Sequence, residues 1–248
     1  MSQKVILITG GSRGIGAEIA KGAAKDGYFV VINYTKGNEA AQGVVNEIIN
    51  AGGKAVALQA DCSKEDEIVR LFKEADQYGP LEAFVANAGI IGGQNPVTET
   101  TFAQLRELFD INVLGLIIST REAVKRMSTA LGGKGGKIVL MSSVAARTGG
   151  IVQEIHYASS KAAVDGFLMG LAKEVGNVGI RVNAVRPGLI GTTIHDLHGG
   201  REVIEKWGAG VPMGRIGNPT EVAKTVLWLC SDDSSYIHGS LIDVSGGR

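Results

Sequence analysis

Cysteine is scarce in this sequence, and the two that occur, Cys62 and Cys230, are far apart. Two distant cysteines provide neither a disulfide framework nor a cluster of metal ligands. We therefore expect two buried thiols in a reducing compartment. An excess of one charge is also missing, because Lys and Arg total 25, Asp and Glu total 25, and the formal net charge is +0. This balance argues against partners such as nucleic acid or an anionic membrane surface.

Long apolar runs are absent as well. A membrane-spanning helix needs roughly 20 mainly apolar residues, and no stretch of the sequence has that character. The first residues, Met1–Lys4, contain no apolar signal region. We therefore expect a cytoplasmic protein. At 248 residues, with 44% hydrophobic and 20% charged residues, the chain is large enough to bury an ample core.

Short apolar segments alternate with segments of helical periodicity along the whole chain. This alternation predicts an α/β fold with a parallel sheet and helices on both faces. The predicted strands are Val5–Thr9, Phe29–Asn33, Ala55–Gln59, Ala83–Ala86, Lys137–Met141, Arg181–Val185 and Leu241–Val244. The predicted helices are Ile15–Lys25, Glu39–Asn50, Asp66–Asp76, Phe102–Ala130, Tyr157–Val175 and Glu221–Cys230. No linker or repeat divides the sequence, so we expect one doubly wound domain over residues 1–248.

A glycine-rich turn follows the first predicted strand and opens the first helix. Gly10, Gly11, Gly14 and Gly16 lie at this point. Glycines let the backbone approach a pyrophosphate closely, and a helix N-terminus offers free N–H groups to it. The spacing differs from the general G-x-G-x-x-G fingerprint, but its position after strand one favours dinucleotide binding.

Tyr157 and Lys161 are four residues apart in a predicted helix. This spacing places both side chains on one helix face. A neighbouring lysine can lower the pKa of a phenol, normally about 10, and so make it a usable acid and base. Taken alone the pair carries little weight, since Tyr and Lys meet at this spacing on many surface helices.

Taken together and in order, these motifs resemble the short-chain dehydrogenase/reductase family in its compact, single-domain form. The resemblance runs from Lys4 to about Gly247 and implies a Rossmann-type fold. It implies a catalytic tetrad, which is Asn112, Ser143, Tyr157 and Lys161. In that scheme Tyr157 donates a proton to the alkoxide that forms on hydride transfer, and Ser143 orients the carbonyl. Lys161 lowers the Tyr157 pKa and holds the nicotinamide ribose, and Asn112 positions a water that links Lys161 to solvent.

Ser142 competes with Ser143 for the serine role. The family's serine lies about a dozen residues before the tyrosine, whereas Ser143 lies 14 before Tyr157, so we expect a small insertion near Gln153 and Glu154. Strand alternation turns Ser142 and Ser143 to opposite faces, and Ser143 is the better match. Asn112 has a simpler interpretation as a polar residue within a long helix.

The resemblance also implies a set of cofactor-binding residues. These are Gly10, Ser12, Arg13, Gly14, Ile15, Gly16, Tyr34, Thr35, Lys36, Asp61, Cys62, Asn87, Ala88, Gly89, Tyr157, Lys161, Pro187, Gly188, Ile190 and Thr192. Asp61 is expected to face the adenine ring, although an acidic residue at the start of a helix is an alternative. Pro187–Thr192 is expected on the nicotinamide side.

Tyr34 stands where NAD-binding members of the family carry an acidic residue for the ribose 2′-hydroxyl. A carboxylate there would repel a 2′-phosphate, and Arg13 and Lys36 can supply positive charge to it. We therefore expect NADP(H) to be favoured over NAD(H), the alternative being that both cations are only solvated surface charges.

The predicted activity is that of an NADP-dependent carbonyl reductase or alcohol dehydrogenase acting on a small molecule. Reduction of 3-oxoacyl thioesters and oxidation of sugars are both open. Basic residues that would suit an acidic carrier are Arg147, Arg201 and Lys206. The alternative from another class is a non-catalytic dinucleotide sensor on the same fold.

Two further expectations concern a predicted lid and the assembly of the protein. Residues 193–213 look like an inserted lid over the substrate. This segment contains His195 and His198, but with no third ligand near them we expect no metal site. Apolar and small residues on the helices Phe102–Ala130 and Tyr157–Val175 suggest a contact with a symmetric partner, and the resemblance implies a homotetramer that uses these helices. The alternative is that all of these residues belong to the internal core.

Overall fold

A computed structural model of the chain describes residues 3–194 and 201–248. Its sheet consists of β1 (Val5–Ile8), β2 (Phe29–Tyr34), β3 (Lys54–Gln59), β4 (Leu81–Ala86), β5 (Gly136–Met141), β6 (Ile180–Pro187) and β7 (Leu241–Val244). All pairings are parallel, and the strand order is β3-β2-β1-β4-β5-β6-β7. The predicted seven-stranded, doubly wound α/β fold is confirmed.

The helices connect successive strands and cover both faces of the sheet. They are α1 (Gly14–Lys25), α2 (Asn38–Asn50), α3 (Glu65–Ala75), α4 (Phe102–Phe109), α5 (Leu116–Met127), α6 (Ala145–Thr148), α7 (Ile155–Val175), α8 (Arg201–Gly208) and α9 (Pro219–Cys230). Within the described ranges, no helix has both the length and the apolar character needed to cross a membrane.

The central strands are apolar because both of their faces are covered. Every residue of β1 is buried. Val5 and Leu7 pack into the hydrophobic core on one face of the sheet, whereas Ile6 and Ile8 pack into the core on the other. This explains why β1 reads as a continuous apolar run rather than an alternating one.

The strand order places the glycine-rich turn and the segment Asn87–Gly89 together at the carboxyl ends of the central strands. The direction of winding changes at β1, which pairs with β2 on one side and β4 on the other. Loops at the carboxyl ends of β1 and β4 therefore diverge and leave a crevice, which is where open α/β sheets bind ligands.

The predicted helix Phe102–Ala130 is interrupted. A π-helical segment, residues 110–115, separates α4 from α5, and α5 ends at Met127. A Cβ atom at Gly115 would lie 1.9 Å from the carbonyl oxygen of Cys62, so the backbone packs directly on the loop after β3. Such local widening of a helix is frequent at functional sites. Helical periodicity alone did not predict it.

Candidate active site

The turn after β1 is shaped by glycines that no other residue could replace without strain. Gly10 and Gly14 have φ angles of 63° and 56°, in the left-handed region. Gly16 lies in the first turn of α1, where an added Cβ would meet the carbonyl oxygen of Gly10 at 2.4 Å. The turn therefore opens directly onto the N-terminus of α1, which suits an anionic group.

Side chains from three strand ends hold this turn in place. The Asn87 amide donates to the carbonyl oxygens of Thr9 (2.9 Å) and Gly10 (3.0 Å). The Thr9 hydroxyl accepts from the backbone of Asn87 and Ala88. Asn33 accepts from the Gly10 N–H at 3.3 Å and donates to the carbonyl of Ala60 at 3.0 Å. Thr9 and Asn33 are site residues that sequence reasoning did not assign, although both lie beside its motifs.

A groove runs along this crevice and collects most of the predicted cofactor-binding residues. Its walls include Gly10, Ser12, Arg13, Gly14, Ile15, Gly16, Tyr34, Thr35, Lys36, Asp61, Cys62, Asn87, Ala88, Gly89 and Thr192. A second cleft, which is lined by Ser143, Tyr157 and Lys161, adjoins the groove. It shares Ile15, Asn87, Gly89 and Thr192 with the groove. Pro187, Gly188 and Ile190 line that second cleft.

Two cations lie at the end of the groove near β2. Arg13 and Lys36 form no salt bridge with any residue in the described part of the chain. The hydroxyl of Tyr34 hydrogen-bonds with Asn38 Oδ1 at 2.7 Å. Arg13 and Lys36 thus give this end of the groove positive charge. The uncharged Tyr34 occupies the position at which a carboxylate would repel a phosphate.

Asp61 and Cys62 have local structural contacts in addition to lining the groove. Asp61 Oδ1 accepts from the backbone N–H (2.9 Å) and hydroxyl (2.7 Å) of Ser63. These contacts agree with the alternative interpretation of Asp61 as an acidic residue near the start of a helix. Burial opposes ionisation of Asp61, but these hydrogen bonds and Lys64 outweigh it and lower its pKa. Burial raises the pKa of the Cys62 thiol to about 12, so it stays neutral. Cys62 and Cys230 are both free and buried.

Tyr157 and Ser143 face each other across the second cleft. Tyr157, near the start of α7, is partly exposed, whereas Ser143, just after β5, is buried. Burial raises the pKa of Tyr157 to about 12, against the lowering effect of a hydrogen bond with Ser143, and the charge of Glu154 raises it further. Tyr157 is therefore protonated at neutral pH.

Lys161 lies one turn further along α7 and is also buried. Its Nζ atom donates to the carbonyl oxygen of Met141 at 2.8 Å and lies 5.8 Å from the centre of the Tyr157 ring. Burial lowers the Lys161 pKa to about 8. The predicted lowering of the Tyr157 pKa by Lys161 is not seen here. The direction is the opposite, because burial of the phenol outweighs the other effects.

Asn112 lies in the π-helical segment and is completely buried. Its side chain accepts from the N–H of Ile90 at 2.9 Å and donates to the carbonyl of Ile90 at 2.8 Å. It also donates to the Ser160 hydroxyl. An added Cβ at Gly89 would lie 3.2 Å from Asn112 Oδ1 and 3.5 Å from Lys161 Nζ, so Asn112 and Lys161 flank the same glycine. Of the residues that the resemblance assigns to the tetrad and to the cofactor, Asn112 is the one that lines neither cleft.

Ser142 and Ser143 have different partners. Ser142 Oγ donates to Asp165 Oδ1 at 2.6 Å, so its hydroxyl is engaged on α7. Ser143 Oγ accepts from the N–H of Ala145 at 3.1 Å, and Ser143 lines the same cleft as Tyr157 and acts to lower its pKa. Of the two serines, Ser143 is therefore the one placed beside the phenol.

The remaining wall of the second cleft is mainly apolar, with two charged exceptions. Its apolar members include Ile91, Val144, Ala145, Ile151, Leu189 and Ile194. Glu154 and Arg248 also line it, and Glu154 is buried. Sequence reasoning assigned neither of them. The loop before Glu154 contains Gln153, whose φ of 72° is the one left-handed non-glycine value in the described ranges. This is where the spacing of Ser143 and Tyr157 predicts an extra residue.

The predicted lid is described in part. His195 and His198 lie outside the described residues. Beyond them, α8 follows with Ile204 buried, and Val211, after the end of α8, is buried as well. The first part of the segment reaches both clefts through Thr192 and Ile194.

Comparison with known proteins agrees with this architecture. A family model described as enoyl-(acyl carrier protein) reductase matches residues 10–248. An "uncharacterized oxidoreductase YgfF" of Escherichia coli K12 is 46% identical over 245 residues, covering 98% of this chain and 99% of that protein. A "hydroxynaphthalene reductase-like protein Arp2" of Metarhizium guizhouense is 36% identical, covering 100% and 95%.

A solved structure of a short-chain dehydrogenase/reductase from Serratia marcescens superposes with a TM-score of 0.90. It is 29% identical and covers 98% of this chain and 97% of that one. Identity of this extent over nearly full lengths, together with the same fold, implies a nicotinamide dinucleotide cofactor and a small-molecule substrate. The chain belongs to the short-chain dehydrogenase/reductase family of oxidoreductases.

Proposed function

We propose that this protein is an NADP(H)-dependent oxidoreductase that interconverts a carbonyl group and a secondary alcohol, with Tyr157 as acid and base. The observation that carries the proposal is the pairing of Tyr157 with Ser143 in a cleft that adjoins the glycine-lined groove. The acid Tyr157 and the carbonyl-orienting hydroxyl of Ser143 therefore lie next to the groove that would hold the dinucleotide.

The groove fits a dinucleotide on structural grounds. Glycine at position 16 leaves space beside Gly10 that a Cβ would fill, and the N-terminus of α1 points into the groove. When bound, the nicotinamide supplies or accepts the hydride. The residues we assign to holding it are Tyr157, Lys161, Pro187, Gly188, Ile190 and Thr192, and the remaining groove residues would hold the phosphates, riboses and adenine.

Each member of the tetrad then has a distinct task. Ser143 orients the carbonyl oxygen through its hydroxyl. Tyr157, protonated at neutral pH, gives its proton to the oxygen as negative charge develops there, and it removes that proton in the oxidative direction. Lys161 holds the nicotinamide ribose and carries positive charge beneath the phenol. Asn112 fixes the Ile90 backbone beside Lys161, where we place a water that links Lys161 to solvent.

The choice of NADP(H) rests on charge at the end of β2. Arg13 and Lys36 have no salt-bridge partner among the described residues, and Tyr34 replaces the acid that would repel a phosphate. A guanidinium group and an ammonium group are both suited to a phosphate monoester.

The character of the second cleft bears on the substrate. Mainly apolar side chains surround Tyr157 and Ser143, which favours a carbonyl on an apolar framework over a sugar. Of the basic residues proposed for an acidic carrier, Arg147 pairs with Asp243 at 2.9 Å. A 3-oxoacyl thioester is therefore less well supported than a compact ketone, although its acyl part would suit the cleft. We further propose a cytoplasmic homotetramer.

The test is a screen for NADPH consumption over ketones, aldehydes, quinones, acyl thioesters and sugars. Tyr157→Phe should lower turnover on the best substrate by roughly 10²–10⁴-fold, the usual loss when an acid–base group is removed. NADPH binding should survive, and the melting temperature should show that the variant is folded. Bound NADPH with no turnover on any carbonyl would favour a dinucleotide sensor. A folded Tyr157→Phe variant with near-parental turnover would refute the assigned mechanism.

A further inference from the structure

We infer that Asp165 is a positioning residue for the proposed hydride transfer, because it fixes the ends of the two strands that carry the catalytic serine and the nicotinamide-side loop. The inference rests on the proposed function. Asp165 lines neither cleft, so it would act through its neighbours rather than on substrate.

The two carboxylate oxygens of Asp165 hold two different strands. Oδ1 accepts from the Ser142 hydroxyl at 2.6 Å. Oδ2 accepts from Arg186 Nε at 3.0 Å and from a terminal guanidinium nitrogen of the same residue at 2.6 Å. Ser142 directly precedes Ser143, and Arg186 directly precedes Pro187 and Gly188. One carboxylate on α7 therefore sets the position of both strand ends relative to that helix.

A second hydrogen bond, made by Lys161, also joins α7 to the end of β5. Lys161 Nζ donates to the carbonyl of Met141, the residue before Ser142. Asp165 follows Lys161 by one helical turn, so both side chains lie on one face of α7. The end of β5 is thus attached to α7 at consecutive residues, Met141 and Ser142. Ser143 comes next and takes its orientation toward Tyr157 from this attachment.

The ion pair between Asp165 and Arg186 is largely shielded from solvent, which strengthens its hold on the two strand ends. The side chains of Asp165 and Arg186 are 13% and 16% exposed. Hydrogen bonds between ionised groups are shorter and stronger than neutral ones, and the paired nitrogens add directionality. Arg186 also lies 3.7 Å from Asp243, so its charge would keep one acidic neighbour if Asp165 were neutralised.

Asp165 also contributes charge to the site. Its carboxylate raises the pKa of Lys161 and partly opposes the burial that lowers it to about 8. In the part of the chain that is described, Tyr157, Glu154 and Arg248 line the cleft with Lys161, and Arg186 lies between Asp165 and Asp243. A purely structural ion pair would affect stability alone, whereas this arrangement also predicts a change in the pH dependence of turnover.

The test compares Asp165→Asn with Glu82→Gln, using the full-length protein, NADPH and the best carbonyl substrate from the screen. Glu82 is the matched control because it pairs with Lys4 (3.2 Å) and with Lys137 of β5 (3.1 Å) at the opposite end of that strand. Asp165→Asn should lower kcat at least about tenfold with little change in the KM for NADPH, since small misplacements of catalytic groups are costly. It should also move the alkaline loss of activity to lower pH. Glu82→Gln should change neither.

Several results would overturn the inference. These are parental kcat and pH profile in Asp165→Asn, or an equal loss in Glu82→Gln at matched melting temperature. If Asp165→Asn does not fold, Ser142→Ala removes only the neutral arm of the contact. It should lower kcat a few-fold, less than Ser143→Ala, without moving the alkaline limb, and parental kcat there would equally refute the inference. Failure of the proposed function is distinguished by Tyr157→Phe, which would then keep the parental rate.

Discussion

Gly16 packs against Gly10 so closely that a Cβ atom at Gly16 would lie 2.4 Å from the Gly10 carbonyl oxygen and 2.6 Å from the side-chain nitrogen of Asn87. We predict that Gly16→Ala displaces the glycine turn and weakens NADPH binding at least about tenfold. The folded state should lose roughly 1–3 kcal/mol, as is usual when an atom is forced into a filled space. Fluorescence titration of NADPH and thermal melting measure the two effects.

Gly43→Ala is the matched control. Gly43 is an exposed helical residue in α2, and apart from its own helix backbone and chain neighbours its added Cβ would have no heavy atom of the described residues within 4 Å. This variant should bind NADPH like the parent and gain up to about 1 kcal/mol, because alanine restricts the unfolded chain and favours helix. Parental NADPH affinity in Gly16→Ala would show that the turn does not approach the cofactor.

The preference for NADPH should reverse when a carboxylate is placed at the end of β2. In Tyr34→Asp, a negative charge would repel the 2′-phosphate and accept a hydrogen bond from a 2′-hydroxyl. We expect kcat/KM to fall with NADPH and rise with NADH. Side-by-side kinetics with both cofactors measure the change.

Tyr34→Phe separates charge from the loss of a side-chain contact. This variant removes only the hydroxyl that bonds to Asn38 and should keep the parental preference. The assignment of NADP(H) would be wrong if the parent already used NADH with equal or better kcat/KM.

Assembly should depend on the exposed face of α7. Gly166 and Gly170 lie four residues apart on this face, both are exposed, and Met169 beside them is 50% exposed. Among the described residues, none outside α7 has a heavy atom within 4 Å of a Cβ added at either glycine. If two such helices pack in a homotetramer, Gly166→Arg should produce a smaller species. Gly43→Arg, on exposed α2, should not. Light scattering at micromolar concentration decides this, and a monomeric parent would refute the proposed assembly.

The sheet could be predicted from sequence because β1 and its neighbours are apolar on both faces and end in glycine or proline turns. The groove residues were assigned through the family resemblance, and in the structure they follow those strand ends. Asp165 could not, because its role depends on Ser142 and Arg186, which are distant in sequence and meet only when β5 and β6 pair. The π-helical turn at Asn112 was also not predicted, because the close packing of Gly115 on Cys62 joins segments distant in sequence and leaves no periodic signal.

Reduction should lose activity as the pH rises above about 8. Burial lowers the Lys161 pKa to about 8, so its positive charge is present below that pH and lost above it. Tyr157, with a pKa of about 12, remains a proton donor throughout this range. The alkaline limb of kcat/KM for reduction therefore reports Lys161. A flat profile from pH 6 to 10 would contradict this assignment.

Oxidation should respond to Glu154, because its negative charge raises the Tyr157 pKa. The oxidative direction needs the phenolate, so the rate rises with pH as Tyr157 loses its proton. Glu154→Gln removes the charge while keeping the size of the side chain, which should lower the Tyr157 pKa and move the rising limb to lower pH. Reduction at pH 7 should be affected less, because the phenol stays protonated there. Glu107→Gln, on the groove side of α4, is the control for a general loss of negative charge. If Glu154→Gln leaves the rising limb in place or moves it upward, Glu154 does not act on Tyr157 through its charge.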